Sequence, residues 1–299
     1  MADSRAWGGF GIDRKEGADI CLLGIPFDSA ASINKGAAMA PDNLRALSRF
    51  LPCTSEEGVD FEGIKIHDAG DVEPDLDWVR FFDAVEKAAY DLLKTGSFCL
   101  FMGGDHSVSV PLHRAFKKWY PGEKIGIIHF DSHADICAEF EGHKWSHACT
   151  ARRAVEDVIP PEALALVGIR SYEPQELVYL KDHPVKLVKA VDLHRKGYPA
   201  ICEELKAHFA AYDRIYLTLD IDVIDPAGAP GTGTPEAGGP TSREIMEMVK
   251  FLLQNLPVAA MDIVEVSPPL DTRNQITSWT ALKIMYEVFA IVKERGGEE

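Results

Sequence analysis

Short apolar runs alternate along the chain with longer stretches in which apolar residues recur every three or four positions. The short runs predict buried β-strands, because they are bounded by polar residues and glycines and are rich in β-branched and aromatic residues. The predicted strands cover residues 20–24, 64–67, 98–101, 126–130, 165–169, 185–188, 215–219 and 259–264. Their continuous apolar character is typical of a parallel sheet that is covered on both faces.

Helical periodicity fills the intervals between these strands. Over residues 78–94, apolar residues stand at Val79, Phe82, Val85, Ala89 and Leu92, which share one face of a helix. Further helices are predicted over 42–50, 107–118, 147–155, 199–210, 242–253 and 278–293. The alternation predicts a single α/β domain over residues 1–299. The Gly- and Pro-rich stretch 225–240 directly follows a strand and is interpreted as an active-site loop.

Composition and charge narrow the classes of function. The 299 residues are 46% hydrophobic, which is enough for a large core, and the formal net charge is −16. This acidity argues against nucleic acid and anionic membrane surfaces as partners, because both require a basic face. No apolar run is long enough for a transmembrane helix, and the N-terminus has no signal-peptide core. The six cysteines form no CxxC pair, so we expect reduced thiols in a cytoplasmic protein.

Three clusters of acidic and histidine residues follow predicted strands, at the edge where open α/β sheets bind ligands. The first cluster contains Asp105 and His106, which follow Gly103 and Gly104. Two glycines allow the backbone to turn tightly after the strand. Taken alone, this cluster is equally well explained as a turn with a helix-capping Asp105 or Ser107.

The second and third clusters are richer in carboxylates. Asp131, His133 and Asp135 alternate along the chain, so in an extended backbone they point to one side. The alternative is a solvated turn, but the preceding strand is too apolar for an edge strand, and unpartnered polar groups beside it would be costly to bury. Asp220 and Asp222 repeat the spacing at the end of another apolar strand.

Together, the clusters provide two histidines and four aspartates. That is too much negative charge for one structural zinc ion, which prefers four ligands and usually thiolates or imidazoles. The set suits two divalent ions that share bridging carboxylates. Two Mn²⁺ ions fit carboxylate and imidazole ligands best, and Ni²⁺, Co²⁺ or Zn²⁺ are the alternatives.

The three clusters resemble the signature motifs of the ureohydrolase family, which includes arginases and agmatinases. Gly-Gly-Asp-His stands at 103–106, Asp-x-His-x-Asp at 131–135 and Asp-x-Asp at 220–222. Segments 220–236 and 265–271 are similar to those of the agmatinase branch, and the resemblance extends roughly over residues 24–286. It implies a three-layer α/β/α sandwich around an eight-stranded parallel sheet, and a homotrimer or homohexamer.

The resemblance also implies roles for individual residues. The implied ligands of two metal ions are His106, Asp131, His133, Asp135, Asp220 and Asp222. Two such ions activate water for attack on a guanidinium carbon, which then yields urea and an amine. Asp135 resembles the ligand that accepts the proton of the water. Glu265 resembles the residue that pairs with the planar guanidinium group through charge-assisted hydrogen bonds.

Two further site residues lie in loops. His147 resembles the histidine that shuttles a proton to the leaving amine, a role that suits its near-neutral pKa. The nearby His143 competes for this role, although the Trp145-Ser146-His147 context favours His147. Thr234 occupies a supporting position for substrate binding, or it is a hydroxyl that stabilises the turn.

Departures from the family patterns bear on the substrate. Many agmatinases have His-Gly-Thr where this chain has His147-Ala148-Cys149. Cys137 stands where arginases place the asparagine that contacts the α-carboxylate of arginine, which disfavours arginine as substrate. Arginases have two acidic residues shortly after the position of Arg170, and this chain has only one there, Glu173. Glu173 either faces a substrate ammonium group or caps the following helix.

The leading hypothesis is hydrolysis of agmatine, a small cationic guanidino compound, to putrescine and urea in polyamine biosynthesis. The alternatives are 4-guanidinobutyrate, 3-guanidinopropionate, guanidine and formiminoglutamate. Carboxylate-tailed substrates require a basic group near the pocket mouth, and the candidates are Arg152, Arg153 and Arg170. A histone-deacetylase-like amidohydrolase with one zinc ion, and a non-catalytic family member, are the hypotheses outside this class.

Overall fold

The computed structural model describes residues 6–50 and 52–296, in which strands and helices alternate along the chain. The strands are β1 Ile20–Gly24, β2 Ile66–Asp71, β3 Phe98–Met102, β4 Ile125–Phe130, β5 Leu164–Ile169, β6 Lys186–Lys189, β7 Arg214–Asp220 and β8 Val258–Val264. The α-helices are α1 Ala40–Leu47, α2 Trp78–Leu93, α3 Ser109–Trp119, α4 Thr150–Asp157, α5 Pro174–Asp182, α6 Ala190–Lys196, α7 Tyr198–Phe209, α8 Ser242–Asn255 and α9 Ile276–Gly296.

The eight strands of the described chain form one parallel sheet in the order β2-β1-β3-β8-β7-β4-β5-β6. The six inner strands are buried along almost their whole length, whereas the edge strands β2 and β6 are partly exposed. Burial on both faces explains why the inner strands are continuously apolar.

Successive residues of each strand contribute to opposite apolar layers. In β1, Ile20 and Leu22 pack in a core with α1, α7, α8 and α9, whereas Cys21 and Leu23 pack in a core with α2, α3 and α4. The sheet is therefore the middle layer of an α/β/α sandwich. This architecture confirms the predicted fold class, including the eight parallel strands.

Sequence periodicity located all eight strands to within a few residues but missed two helices. Helix α5 buries Glu176, while its apolar residues Leu177 and Val178 are exposed, so it has no apolar stripe to detect. Helix α6 has 7 residues, of which Ala190 and Leu193 are buried. A helix of two turns is too short to show a periodic pattern.

The sequence predicts the absence of a transmembrane helix and reduced cysteines, and the structure bears on both predictions. Within residues 6–50 and 52–296, no helix is long and apolar enough to cross a membrane. All six cysteines lie in this part of the chain, and each is a free thiol.

The structure gives a different reason for the two glycines that follow β3. Neither Gly103 nor Gly104 has a φ in the left-handed region, so no tight glycine turn is formed. A Cβ atom at Gly104 would lie 1.7 Å from the carbonyl oxygen of Phe27, and one at Gly103 would lie 2.5 Å from Cγ1 of Val264. The glycines therefore allow the chain after β3 to pack directly against the segment that follows β1 and against the end of β8.

We expect Gly104→Ala to lower the free energy of unfolding by about 3 kcal/mol or more, because the obstructing atom belongs to the backbone and cannot rotate away. The matched control is Gly11→Ala, whose added Cβ would meet no atom within 4 Å. Urea denaturation of metal-free protein measures both variants. Equal stability of the two would contradict the packing explanation.

Candidate metal centre

The four strands at the centre of the sheet, β3, β8, β7 and β4, end at the same edge. The residues at these ends are His106 after β3, Glu265 after β8, Asp220 and Asp222 at the end of β7, and Asp131, His133 and Asp135 after β4. The carboxyl ends of neighbouring parallel strands meet, so residues as far apart in sequence as His106 and Glu265 come into contact.

His106 lies at the centre of a first group of ligand atoms. Its Nδ1 atom is 3.0 Å from Oδ2 of Asp131. The same nitrogen is 3.3 Å from Oδ2 of Asp135 and 3.2 Å from Oδ2 of Asp220. Nδ1 is buried and makes no hydrogen bond of good geometry with a described residue. An imidazole nitrogen that faces three carboxylate oxygens in this way has the arrangement of ligands around a shared cation.

His133 and Asp222 form a second group next to the first. Nδ1 of His133 is 3.0 Å from Oδ2 of Asp222 and 3.5 Å from Oδ1 of Asp131. Asp131 therefore directs Oδ2 toward His106 and Oδ1 toward His133. Asp131 belongs to two sets of side chains whose ligand atoms all lie within 4.8 Å of one another. One set is His106, His129, Asp131 and Asp135, and the other is Asp131, His133 and Asp222. Asp131 occupies the position of a bridging ligand.

The electrostatics of the cluster favour bound cations. Burial, followed by repulsion from Asp131, raises the pKa of Asp135 to about 7. Burial and the charges of Asp222 and Asp131 raise the pKa of Asp220 well above its ordinary value. Buried carboxylates at such close range destabilise one another unless positive charge lies between them. Divalent ions held by these oxygen and nitrogen ligands would supply that charge.

A chain of hydrogen bonds fixes His106 from the opposite side. Nε2 of His106 is 3.0 Å from Oγ1 of Thr218, which donates to Oδ1 of Asp262 at 2.6 Å. The hydroxyl of Tyr216 donates to Oδ2 of Asp262 at 2.7 Å. Because Thr218 uses its proton for Asp262, it accepts from Nε2–H, and the lone pair of Nδ1 points into the cluster.

Asp262 and His129 are site residues that the sequence analysis missed. Asp262 is fully buried in β8, and its only sequence signal is a carboxylate inside an apolar run. His129 lies in β4, with Nε2 at 2.9 Å from Oδ2 of Asp131 and its ring stacked on His106 at 4.4 Å. The unbroken alternation of His129 with Asp131 and His133 was the available signal. Both residues support predicted ligands from behind.

The backbone after β4 does not have the extended conformation that was expected for the second cluster, Asp131, His133 and Asp135. Strand β4 ends at Phe130, and Asp135 has a left-handed φ of 50°, so alternation along an extended strand does not continue to Asp135. The three side chains instead divide between two groups around Asp131. Glu265, with a φ of 60°, is another non-glycine residue in this strained region. Backbone strain of this kind concentrates at functional sites.

Glu265 and His147 lie beside the ligand cluster and contact each other. Oε1 of Glu265 accepts a hydrogen bond from the backbone N–H of His106 at 2.9 Å and lies 3.1 Å from Nδ1 of His147. Burial alone would lower the pKa of His147, but the hydrogen bond and charge of Glu265 outweigh it and raise the pKa to about 9. His143 packs against Trp78 and is not among the residues that line the cavity with His147.

Thr234 and Glu173 lie farther out. Oγ1 of Thr234 is 3.5 Å from Oδ2 of Asp222, which is one of the predicted metal ligands. The hydroxyl is thus directed toward the ligand cluster. Glu173 immediately precedes α5, is exposed and lines the cavity that also contains His133. The adjacent Glu176 carboxylate accepts the backbone N–H of Glu173 at 2.8 Å.

Comparison with known proteins agrees with this geometry. The sequence profile of the arginase family matches residues 18–290. The chain belongs to the arginase family. An agmatinase from Bacillus anthracis is 36% identical over an alignment of 281 residues that covers 91% of each chain. A guanidinobutyrase from Pseudomonas aeruginosa is 33% identical over an alignment of 282 residues that covers 92% of this chain and 86% of that protein.

Solved structures of the arginase family show the same fold. The agmatine ureohydrolase of Thermoplasma volcanium superimposes with a TM-score of 0.88 at 29% identity, over 99% of this chain and 96% of the other. The predicted family and enzyme class are thus confirmed: arginase-family ureohydrolases are metal-dependent hydrolases that act on C–N bonds. The roles of the individual site residues in this arginase-family chain stay predictions.

We expect Asp220→Asn to stabilise the metal-free protein, by about 1 kcal/mol, and to remove most of the stabilisation that Mn²⁺ confers. The raised pKa of Asp220 means that its charged form destabilises the fold at neutral pH, while metal binding uses that same charge. Thermal denaturation with and without Mn²⁺ measures both effects. The control is Asp225→Asn, because backbone N–H groups lower the pKa of Asp225, so that neutralising it should reduce stability and leave the metal effect intact. A less stable metal-free Asp220→Asn protein would contradict the repulsion.

Asp262→Asn tests the support behind His106. We expect metal affinity to fall about 10- to 100-fold, because the asparagine amide cannot replace both oxygens that orient Thr218 and Tyr216. Isothermal titration with Mn²⁺ measures the affinity, and Tyr216→Phe, which removes a hydroxyl that does not touch His106, should have a smaller effect. Unchanged affinity of Asp262→Asn would show that the chain does not orient the ligand.

Proposed function

We propose that this arginase-family protein is a single-domain, dinuclear-metal hydrolase that cleaves agmatine to putrescine and urea. The observation that carries the proposal is the charge of the cavity beside the ligand cluster. The cavity has a volume of about 370 Å³ and contains Asp135, Asp220 and His133 of the cluster. Glu173, Glu176 and Glu236 lie along it, and among the described residues no lysine or arginine lines it.

This lining favours a substrate with positive charge at both ends. The guanidinium group of agmatine would lie at the ligand cluster, and its primary ammonium group would lie among the outer carboxylates. Apolar surface for the methylene chain comes from Ile33, Phe140, Tyr172 and Pro235. A substrate with a carboxylate tail would lose water without gaining a basic partner, which costs binding free energy.

The three arginines considered for such a carboxylate are engaged elsewhere. The guanidinium of Arg170 donates to the carbonyl oxygens of Gly168, Asp222, Val223 and Glu236. Arg152 pairs with Glu156 at 2.6 Å, and Arg153 lies 2.8 Å from the same carboxylate and donates to a backbone carbonyl. Arg170 therefore fixes the 225–240 loop and does not bind a substrate carboxylate.

The six predicted ligands, His106, Asp131, His133, Asp135, Asp220 and Asp222, would hold two divalent ions, which supply Lewis acidity that activates water. Glu265, which is buried and fixed by the backbone of His106, pairs with the guanidinium group and orients its carbon. Asp135 accepts a proton from the attacking water. His147 donates a proton to the leaving nitrogen as the C–N bond breaks. Thr234 lines the cavity and contacts Asp222, and in this position it supports substrate binding.

Several finer predictions accompany this function. We propose Mn²⁺ as the native metal, with Ni²⁺, Co²⁺ or Zn²⁺ as alternatives, because the donors are carboxylates and imidazoles. We also propose a homotrimer or homohexamer that acts in the cytoplasm in polyamine biosynthesis. Size-exclusion chromatography with light scattering measures the assembly.

A substrate panel tests the proposal on protein reconstituted separately with Mn²⁺ and Ni²⁺. We expect kcat/KM for agmatine to exceed that for 4-guanidinobutyrate, 3-guanidinopropionate, guanidine, formiminoglutamate and arginine at least about tenfold, because only agmatine has a cationic tail without a carboxylate. In the Glu173→Gln/Glu236→Gln protein, we expect a higher KM for agmatine and a smaller difference in kcat/KM between agmatine and the other compounds. The control is Glu162→Gln/Glu203→Gln, which removes the same two negative charges at exposed positions that do not line the cavity.

The outcomes separate the hypotheses. A preference for 4-guanidinobutyrate would reject agmatine but keep the reaction class. No product from any panel member at full metal loading would reject the hydrolase assignment for this site and favour a non-catalytic family member.

A further inference from the structure

His147 is held at both of its ring nitrogens. Nδ1 is 3.1 Å from Oε1 of Glu265, and Nε2 is 3.0 Å from Oγ of Ser32. A protonated imidazole has two N–H donors, and here each one faces an oxygen acceptor. Ser32 belongs to the loop between β1 and α1 and is 115 positions from His147, and neither the sequence motifs nor the proposed reaction gives it a role.

The loop that carries Ser32 is anchored on both sides of it. The backbone N–H of Ala30 donates to Oδ2 of Asp105 at 2.8 Å. Nδ2 of Asn34 donates to the carbonyl oxygen of Gly233 at 2.8 Å. Oδ2 of Asp28 accepts the N–H of Gly36 at 2.7 Å. The backbone on either side of Ser32 is therefore held by contacts that do not involve the Ser32 hydroxyl.

Two groups of Ser32 compete for the same ring nitrogen. The hydroxyl oxygen can accept a hydrogen bond from Nε2–H, whereas the backbone N–H, 3.3 Å from Nε2, can donate only to an unprotonated Nε2. The hydroxyl favours a proton on Nε2, and the backbone N–H favours its absence. Ser32 and His147 both line the cavity with Asp135 and Asp220, so this competition takes place inside the site.

We propose that Ser32 is a positioning residue of the reaction: its hydroxyl keeps Nε2 of His147 protonated, so that Nδ1, on the Glu265 side, delivers the proton. This inference rests on the proposed function. The Nδ1 proton moves to the leaving nitrogen, the electron pair of the C–N bond stays on that nitrogen, and the imidazolium becomes a neutral Nε2–H imidazole. Ser32 holds that neutral ring by the same hydrogen bond.

The charged groups that face His147 come from three elements. Glu265 follows β8, Asp135 follows β4 and Asp105 follows β3, and each favours the protonated ring. None of them contacts Nε2 in the described structure, where Nε2 lies 3.0 Å from the hydroxyl oxygen of Ser32. Loss of the hydroxyl therefore changes one side of the ring and leaves the acidic side intact.

The test compares Ser32→Ala with Ser32→Thr, which restores a hydroxyl, and with Ser29→Ala, an exposed serine of the same loop outside this cavity. With agmatine, we expect Ser32→Ala to lower kcat about tenfold with KM changed less than twofold, because a single charge-assisted hydrogen bond is lost. The alkaline limb of the kcat profile should move to lower pH. Ser32→Thr should recover most of both effects, and Ser29→Ala should match the parent protein.

A second readout does not require turnover. Nitrogen-15 NMR of the metal-free, full-length protein, with His147 assigned from a His147→Gln sample, reports which ring nitrogen is protonated. At pH 7 we expect a protonated Nε2 in the parent protein and in Ser32→Thr, and in a pH titration we expect Ser32→Ala to lose the Nε2 proton at a lower pH than either of them. If no compound of the substrate panel is hydrolysed but the spectra agree with this expectation, the proposed function is wrong, whereas the hydrogen bond between Ser32 and Nε2 of His147 is confirmed.

Three results would overturn the proposal. One is an unprotonated Nε2 in the parent protein. Another is a Ser32→Ala protein with the parent kcat and pH profile. The third is a covalent adduct on Ser32 during turnover, which would make the serine a nucleophile instead of a positioning residue.

Discussion

The structure depends on one electrostatic constraint, the burial of several carboxylates at the end of the sheet. Each of four aspartates lies within 3.3 Å of His106 or His133 and is nearly excluded from water; they are Asp131, Asp135, Asp220 and Asp222. Such a group is stable only with compensating positive charge, and the four carboxylates outnumber the two histidines that face them. The rest of the site is arranged so that divalent cations can provide the remainder.

Strand order brings these residues together. Because β8 lies between β3 and β7, Glu265 is inserted beside His106, and the same strand carries Asp262, which orients His106 through Thr218. The loops that follow β1 and β4 then add Ser32 and His147 over the cluster. One edge of the sheet thus supplies metal ligands, their supports and the groups proposed to bind and protonate the substrate.

The sequence predicted the fold class, all eight strands and the residues that converge at the site, because apolar runs and paired carboxylates are local signals. It did not predict what depends on tertiary contact. Ser32 lies in a loop without a chemical motif, and Asp262 looks like an exception within an apolar strand. The sequence makes Arg170 a candidate for substrate binding, whereas in the structure its guanidinium group donates hydrogen bonds to backbone carbonyl oxygens. The left-handed backbone at Asp135 likewise has no sequence signature, since no glycine stands there to indicate a positive φ.

The most direct test of the central claim is the number of metal ions per chain. Inductively coupled plasma mass spectrometry on protein dialysed after reconstitution with Mn²⁺ should find two ions per chain, and Asp131→Ala, which removes the residue shared by both groups, should retain fewer than one. A single tightly bound zinc ion in the parent protein, or two ions retained without Asp131, would contradict a centre in which one carboxylate bridges two cations.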